Sequence, residues 1–256
     1  MPAISLLYVL FLLAPPALLL LGSFGQSWSN TLLPQGFTTQ WYSQVFSDPS
    51  FRRAFAASLT VVGATCALNL MIGLPLAYAL YHSSRRWLGA AGKVLTLLPM
   101  AVPELVLAFG FILTFSSDSL PWLGSTWLLI AAHTVITLPY TVNTVLAGMK
   151  QVGLARYEQA AASLGSAPMQ RFMHIALPLV SASVTSTMLM VAALSLGEFQ
   201  LSNLISGFLN RTYPVVLLQA FYGATGFACA ATVILLGLAL IASAGARITA
   251  AVAGRT

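Results

Sequence analysis

Runs of about 20 apolar residues recur along this 256-residue chain. They limit its fold more than any motif does. A helix crosses bilayer hydrocarbon in about 20 residues, whereas a barrel strand needs about 10. Hydrocarbon offers no hydrogen-bond partners, so a spanning segment is a helix or part of a closed barrel. Run length decides for helices. Composition agrees: 58% of residues are hydrophobic and only 6% charged, with mean hydropathy +0.87, against about 25% charged in a soluble domain. The expected fold is all-α, a single polytopic membrane domain over 1–256 with about six transmembrane helices. They are placed near 3–23, 58–81, 92–115, 126–147, 177–197 and 224–246.

Charge sets the expected orientation. No Lys or Arg precedes Arg52, so the run from Ile4 to Leu21 lacks the basic region of a secretory signal and reads as a retained first helix. Six spans put both termini on one side, together with Arg85, Arg86, Lys93, Lys150, Arg156, Arg171, Arg247 and Arg255. Arg52, Arg53 and Arg211 fall on the other side. The positive-inside rule then makes both termini cytoplasmic. The net charge of +6 follows from topology, and a nucleic-acid partner would need a solvated basic face that this pattern does not supply. Cys66 and Cys229 both lie inside apolar runs and read as small buried hydrophobes. Trp41, Tyr42 and Phe46, in the polar stretch before the second span, suit the membrane interface.

Residues 148–176 form the longest polar segment on the side of the termini, and Tyr157–Pro178, YEQAAASLGSAPMQRFMHIALP, overlaps it and runs into the fifth span. Ala155 to Leu164 contains no Gly or Pro and is rich in helix formers. Gly165 is a natural stop, and Pro168 suits the first turn of a second short helix. The expected local structure is a helix, a glycine turn, and a helix lying against the membrane. Small residues at Ala160, Ala161 and Ala162 permit close approach of another protein surface.

Gln159-Ala160-Ala161, then Gly165 six residues after Gln159, then Ile175-Ala-Leu-Pro178 beginning ten residues after the glycine, is similar to the cytoplasmic EAA loop of ABC importer permeases. Gln159 stands where that pattern has an acid, and Glu158 precedes it. Gly36-Phe-Thr38 with Trp41-Tyr42, Pro99 with Pro103-Glu104, and Gly197-Glu198 resemble the branch that includes polyamine, phosphonate, thiamine and ferric-ion importers. The polyamine permeases are the most similar in pattern.

The resemblance implies the type I permease fold in a bacterial inner membrane. The loop, through Glu158, Gln159, Ala160, Ala161, Leu164, Gly165, Ile175 and Pro178, would couple to an ATPase. The implied partners are a second permease subunit, a different chain, two ATP-binding cassette subunits, and a periplasmic or lipid-anchored binding protein. The implied substrate is a polyamine such as spermidine or putrescine, with 2-aminoethylphosphonate next and thiamine or ferric ion behind.

Acids inside the spans are costly and usually face a cavity, the bundle interior or a partner. Glu104 follows Pro99 and Pro103, and Glu198 follows Gly197, where helix breaks would free backbone groups. Each acid either lines the translocation pathway or fixes a broken helix. His133, Thr134, Thr137, Tyr140 and Asn143 form a polar stripe on the fourth span, a pattern that glues helices together. Tyr140, Asn143 and Gln200 are further pathway candidates. His82 and His174 are expected to be simply solvated. The sequence contains no GxxxxGK[ST] loop and no recognisable nucleophile and base, so the chain is expected to be no enzyme and to hold no cofactor, with ATP used by its partner. A secondary transporter is the alternative from another class. It would need a repeat-related second half, and the chain shows no such repeat.

Overall fold

The computed structural model describes residues 2–28, 31–83 and 86–253, with the side chains of residues 2, 3, 86, 88, 93, 95 and 241–253 left aside. Arg85 and Arg255 of the charge argument lie outside the described residues, as do the side chains of Arg86, Lys93 and Arg247. In chain order the helices are α1 (Pro2–Ser23), α2 (Gln40–Ser47), α3 (Pro49–His82), α4 (Arg86–Ala101) and α5 (Glu104–Phe115). They continue with α6 (Thr126–Gln151), α7 (Leu154–Ser163), α8 (Pro168–Leu179) and α9 (Ser181–Gly197). Last come α10 (Gln200–Ile205), α11 (Tyr213–Phe221) and α12 (Thr225–Ala253). The described residues contain no β-strand, only isolated bridges.

Three helices are individually long and apolar enough to cross a membrane: Ile4–Ser23, Pro49–His82 and Thr126–Gln151. Two bent pairs add further candidates. The expected third span, 92–115, is split between α4 and α5, which meet at 98°. Pro103 causes the split, because it lacks an N–H and its ring excludes a continuous helix. The expected fifth span, 177–197, starts later than its sequence suggested. Val180 leaves helical geometry at φ −97°, ψ 7°, and α8 turns 70° from α9 there. With each bent pair taken as one span and α12 as the last, the count agrees with about six.

Local chemistry fixes the long helices. Asp48 Oδ1 accepts from the N–H groups of Ser50 and Phe51 at 2.7 and 3.0 Å, with Pro49 as the first residue of α3. Such a side-chain cap replaces helix bonds missing at the N-terminus. Ser125 Oγ does the same for α6, accepting from Leu128 N–H at 3.2 Å. Two π turns, Asn69–Gly73 in α3 and Phe172–Ala176 in α8, end one residue before Leu74-Pro75 and Leu177-Pro178. A wider turn ahead of each proline moves aside the carbonyl its ring would strike.

Helix packing uses polar contacts, as expected where lipid removes the hydrophobic drive between helices. Buried Asn69 donates to Thr65 O at 3.0 Å and Thr137 Oγ1 at 2.9 Å, and accepts from Thr141 Oγ1 at 2.8 Å. It ties α3 to α6. Gly73 packs so closely on Thr141 that a Cβ there would clash with the threonine methyl. Trp41 and Tyr42 depart from free interfacial anchors. Trp41 donates to Gly25 O at 2.8 Å, and Tyr42 Oη shares a 2.7 Å bond with Ser23 Oγ. Only Phe46 of the three is largely exposed.

Candidate translocation and coupling sites

The two helix breaks, at Val102-Pro103 and Glu198-Phe199, face one cavity of about 510 Å³. Glu104, Glu198, Tyr140 and Gln200 stand on its wall with Pro99 and Gly197. Asn143, the remaining pathway candidate, is exposed elsewhere on α6. No Lys or Arg is among the lining residues.

The two acids in this cavity differ in what they touch. Glu198 is 6% exposed and fully engaged. Its Oε1 accepts from Leu201 N–H at 2.6 Å, and its Oε2 from Ser202 N–H at 2.9 Å and Ser202 Oγ–H at 2.5 Å. His133 Nε2 lies 3.3 Å from Oε2 and 2.9 Å from Ser202 Oγ, while Nδ1 meets Ser195 Oγ at 2.8 Å. The carboxylate thus caps α10, and the histidine ties α6 to both sides of the break. A buried carboxylate survives only with such partners. Glu104 opens α5 and is exposed. Among the described residues it forms no hydrogen bond or ion pair. The carboxylate is left facing the cavity.

The polar stripe on α6 divides in the same way. His133 and Thr137 are buried and bonded across helices, whereas Tyr140 is half-buried at the cavity. Sequence reading missed Asn69. Its signal was a single Asn in an otherwise apolar run, five residues before Leu74-Pro75.

At the end of the bundle that carries residues 151–179, two left-handed glycines bracket α7: Gly153 at φ +64° and Gly165 at φ +83°. After Ser163 the N–H of Gly165 bonds to Ala162 O at 2.9 Å and that of Ser166 to Ala161 O at 3.1 Å. This pair of bonds is the Schellman stop that glycine makes accessible. Pro168 then opens α8, where Ala167 N–H donates to Gln170 Oε1 at 3.0 Å.

Helix α7 has a sharply divided surface. Leu154 is fully buried in a cluster with Leu74, Ala77, Met149, Ala176 and Val180, with Ile175 packed against it. Gln159 and Ala160 are exposed, Ala161 is half-buried, and Leu164 is 89% exposed; Pro178 lies exposed on α8. Glu158 faces inward. Its Oε1 accepts from Tyr78 Oη–H at 2.6 Å, and its Oε2 lies 2.5 Å from His82 Nε2. His82 is therefore a partner of α7 rather than a merely solvated side chain. His174 does lie exposed, with Nδ1 3.2 Å from Gln170 O.

Among the described residues no three His, Cys, Asp or Glu side chains gather as a metal site, and both cysteines are free. Residues 69–250 match the family described as the binding-protein-dependent transport system inner membrane component. The putative 2-aminoethylphosphonate transport system permease protein PhnV of Salmonella typhimurium is 29% identical over 93% of this chain and 88% of its own length. The putrescine transport system permease protein PotI of Escherichia coli is 25% identical over 85% and 78%. A bacterial alginate ABC transporter, solved in complex with an alginate pentasaccharide-bound periplasmic protein, contains a chain that superposes with TM-score 0.75. It is 18% identical over 96% of this chain and 90% of that one, so it speaks for the fold alone. The chain belongs to the binding-protein-dependent transport system inner membrane components, as a permease subunit of the ABC importer kind.

Proposed function

We propose that this chain forms half of the path by which a small amine-bearing solute, a polyamine such as putrescine or spermidine, is imported through the bacterial inner membrane. One observation carries the substrate class: an unbonded carboxylate, Glu104, faces a cavity of about 510 Å³ whose lining includes no Lys or Arg. A solute that is cationic at both ends meets only favourable or neutral charge there. A second reading has its own support. The relative 2-aminoethylphosphonate permease is more identical to this chain than the putrescine permease, and that solute also carries a primary amine. Its phosphonate, however, would find no cation among the lining residues.

In this reading a second permease subunit, a different chain, closes the other half of the path. Both termini and the segment 151–179 are cytoplasmic, and two ATPase subunits press on the exposed face of α7. A periplasmic or lipid-anchored binding protein delivers the solute. Closure of the ATPase pair would shift the bundle between two states with different partner contacts, which is what coupling requires.

The test is uptake by the complete transporter in proteoliposomes, with labelled putrescine, spermidine and 2-aminoethylphosphonate offered separately. Polyamine uptake that needs internal ATP, the ATPase and the binding protein is the expected result. Uptake of the phosphonate alone would move the assignment to the second reading. Accumulation without any ATPase would make the chain a secondary transporter and overturn the proposal.

A further inference from the structure

The acid beside the coupling face does not point at a partner. Glu158 is 6% exposed, and both of its oxygens are taken by the last turns of α3, from Tyr78 and His82. A third contact lies one turn earlier on α7, where Ala155 N–H donates to Tyr81 Oη at 3.0 Å. Tyr78, Tyr81 and His82 are a single patch of α3 by helical spacing. The three bonds therefore join one turn of α3 to one turn of α7, across 74–80 residues of sequence.

The joint is also packed. Tyr78 meets Phe172 edge-on at 4.9 Å between centroids, and Leu154 fills the cluster beneath. His82 Nδ1 lies 3.0 Å from Tyr78 O while Nε2 faces Glu158. Both ring nitrogens therefore lie beside oxygen atoms, one of its own helix and one of α7. One π turn, Asn69–Gly73, lies in α3, and another, Phe172–Ala176, lies in α8, whose Phe172 packs on Tyr78. Such turns are places where a helix yields locally.

We infer that Glu158 is a positioning residue that fastens α7 to α3, so that a push on α7 is delivered to the second span rather than absorbed by the loop. Glu158 makes no contact with the ATPase; the surface offered to that partner is Tyr157, Gln159, Ala160 and Leu164, which carries no acid. The inference rests on the coupling role given to α7 above.

The experiment compares Glu158→Ala, Gln159→Arg and Tyr78→Phe/His82→Ala in the complete transporter, reading ATPase co-purification and substrate imported per ATP hydrolysed. Wild-type chain that neither retains the ATPase nor imports with ATP sinks the coupling role itself, apart from Glu158. Given a working wild type, Glu158→Ala is expected to retain the ATPase while import per ATP falls at least tenfold. Gln159→Arg should instead weaken retention. Loss of ATPase retention by Glu158→Ala, or wild-type import per ATP, overturns the inference.

A double-mutant cycle guards against a folding artefact, because groups acting as one unit give non-additive losses. Adding Glu158→Ala to Tyr78→Phe/His82→Ala should cost no further import per ATP. Fully additive losses would mean that Glu158 works through some other contact.

Discussion

Glu158 and Glu198 are buried to the same extent, each 6% exposed. Their partners differ in kind. Glu198 bonds chiefly to Leu201 and Ser202, three and four residues ahead, so it shapes the backbone of its own break. Glu158 bonds to Tyr78 and His82, 80 and 76 residues away, so it joins two helices that the chain connects only distantly. A buried carboxylate is costly in either place. The local cap fixes where a helix stops, whereas the remote pair fixes which helices move together. Glu104, which has no such partner among the described residues, faces the cavity.

The contrast is sharpest at Glu198. Glu198→Ala strands two N–H groups and His133 in a buried site, and breaking one side of such a set costs about 3–5 kcal/mol. The expected result is a large fall in yield and in thermal midpoint of the detergent-solubilised chain, together with lost uptake. Unchanged stability with lost uptake would place Glu198 on the path as a solute-binding group. Leu154→Ala probes the apolar half of the α7 joint. It should cost about 2–5 kcal/mol by leaving a cavity, and it should loosen protease protection around α7 before that of α6. Uniform loosening of both would mean that α7 is no separate unit.

Gly165→Val tests conformation alone, because beyond its chain neighbours nothing lies within 4 Å of the position a Cβ would take. A β-branched residue at φ +83° is strained by about 1–3 kcal/mol, and ATP-driven uptake should be lost while membrane insertion persists. Gly165→Asn, which tolerates the left-handed region, should retain most of it. Equal activity of Val and Asn would remove the turn from the coupling mechanism. The smallest stability effect belongs to Glu104→Gln, within about 0.5 kcal/mol as for substitutions that break no network. Its apparent KM for putrescine should rise roughly fivefold, the equivalent of about 1 kcal/mol for a solvated ion pair. An unchanged KM would leave the cavity without an electrostatic role.

Several features were legible because their causes are local. The stop at Gly165 and the restart at Pro168 need only a residue that tolerates positive φ and one that lacks an N–H. Long apolar helices follow from run length. The 98° bend between α4 and α5 was visible only as Pro103, since a proline marks a break without stating its angle. The 70° turn at Val180 was marked only indirectly, by Pro178 two residues earlier. His82 is exposed as expected, but its bond to Glu158 was not legible because that partner lies on another helix. Asn69 was overlooked because a lone amide in an apolar run has meaning only once Thr137 and Thr141 are beside it.

What the sequence alone determined is the class of molecule: helical, membrane-embedded, with a polar helix–glycine–helix segment between its fourth and fifth spans. Those conclusions rest on composition, run length and backbone preference, which act within a few turns of chain. Tertiary structure decided the division of labour among the three glutamates, Glu104, Glu158 and Glu198. Whether a carboxylate caps a break, joins two helices or faces a cavity depends on which groups lie within about 3 Å of it. The helix packing sets those neighbours; residue spacing along the chain does not.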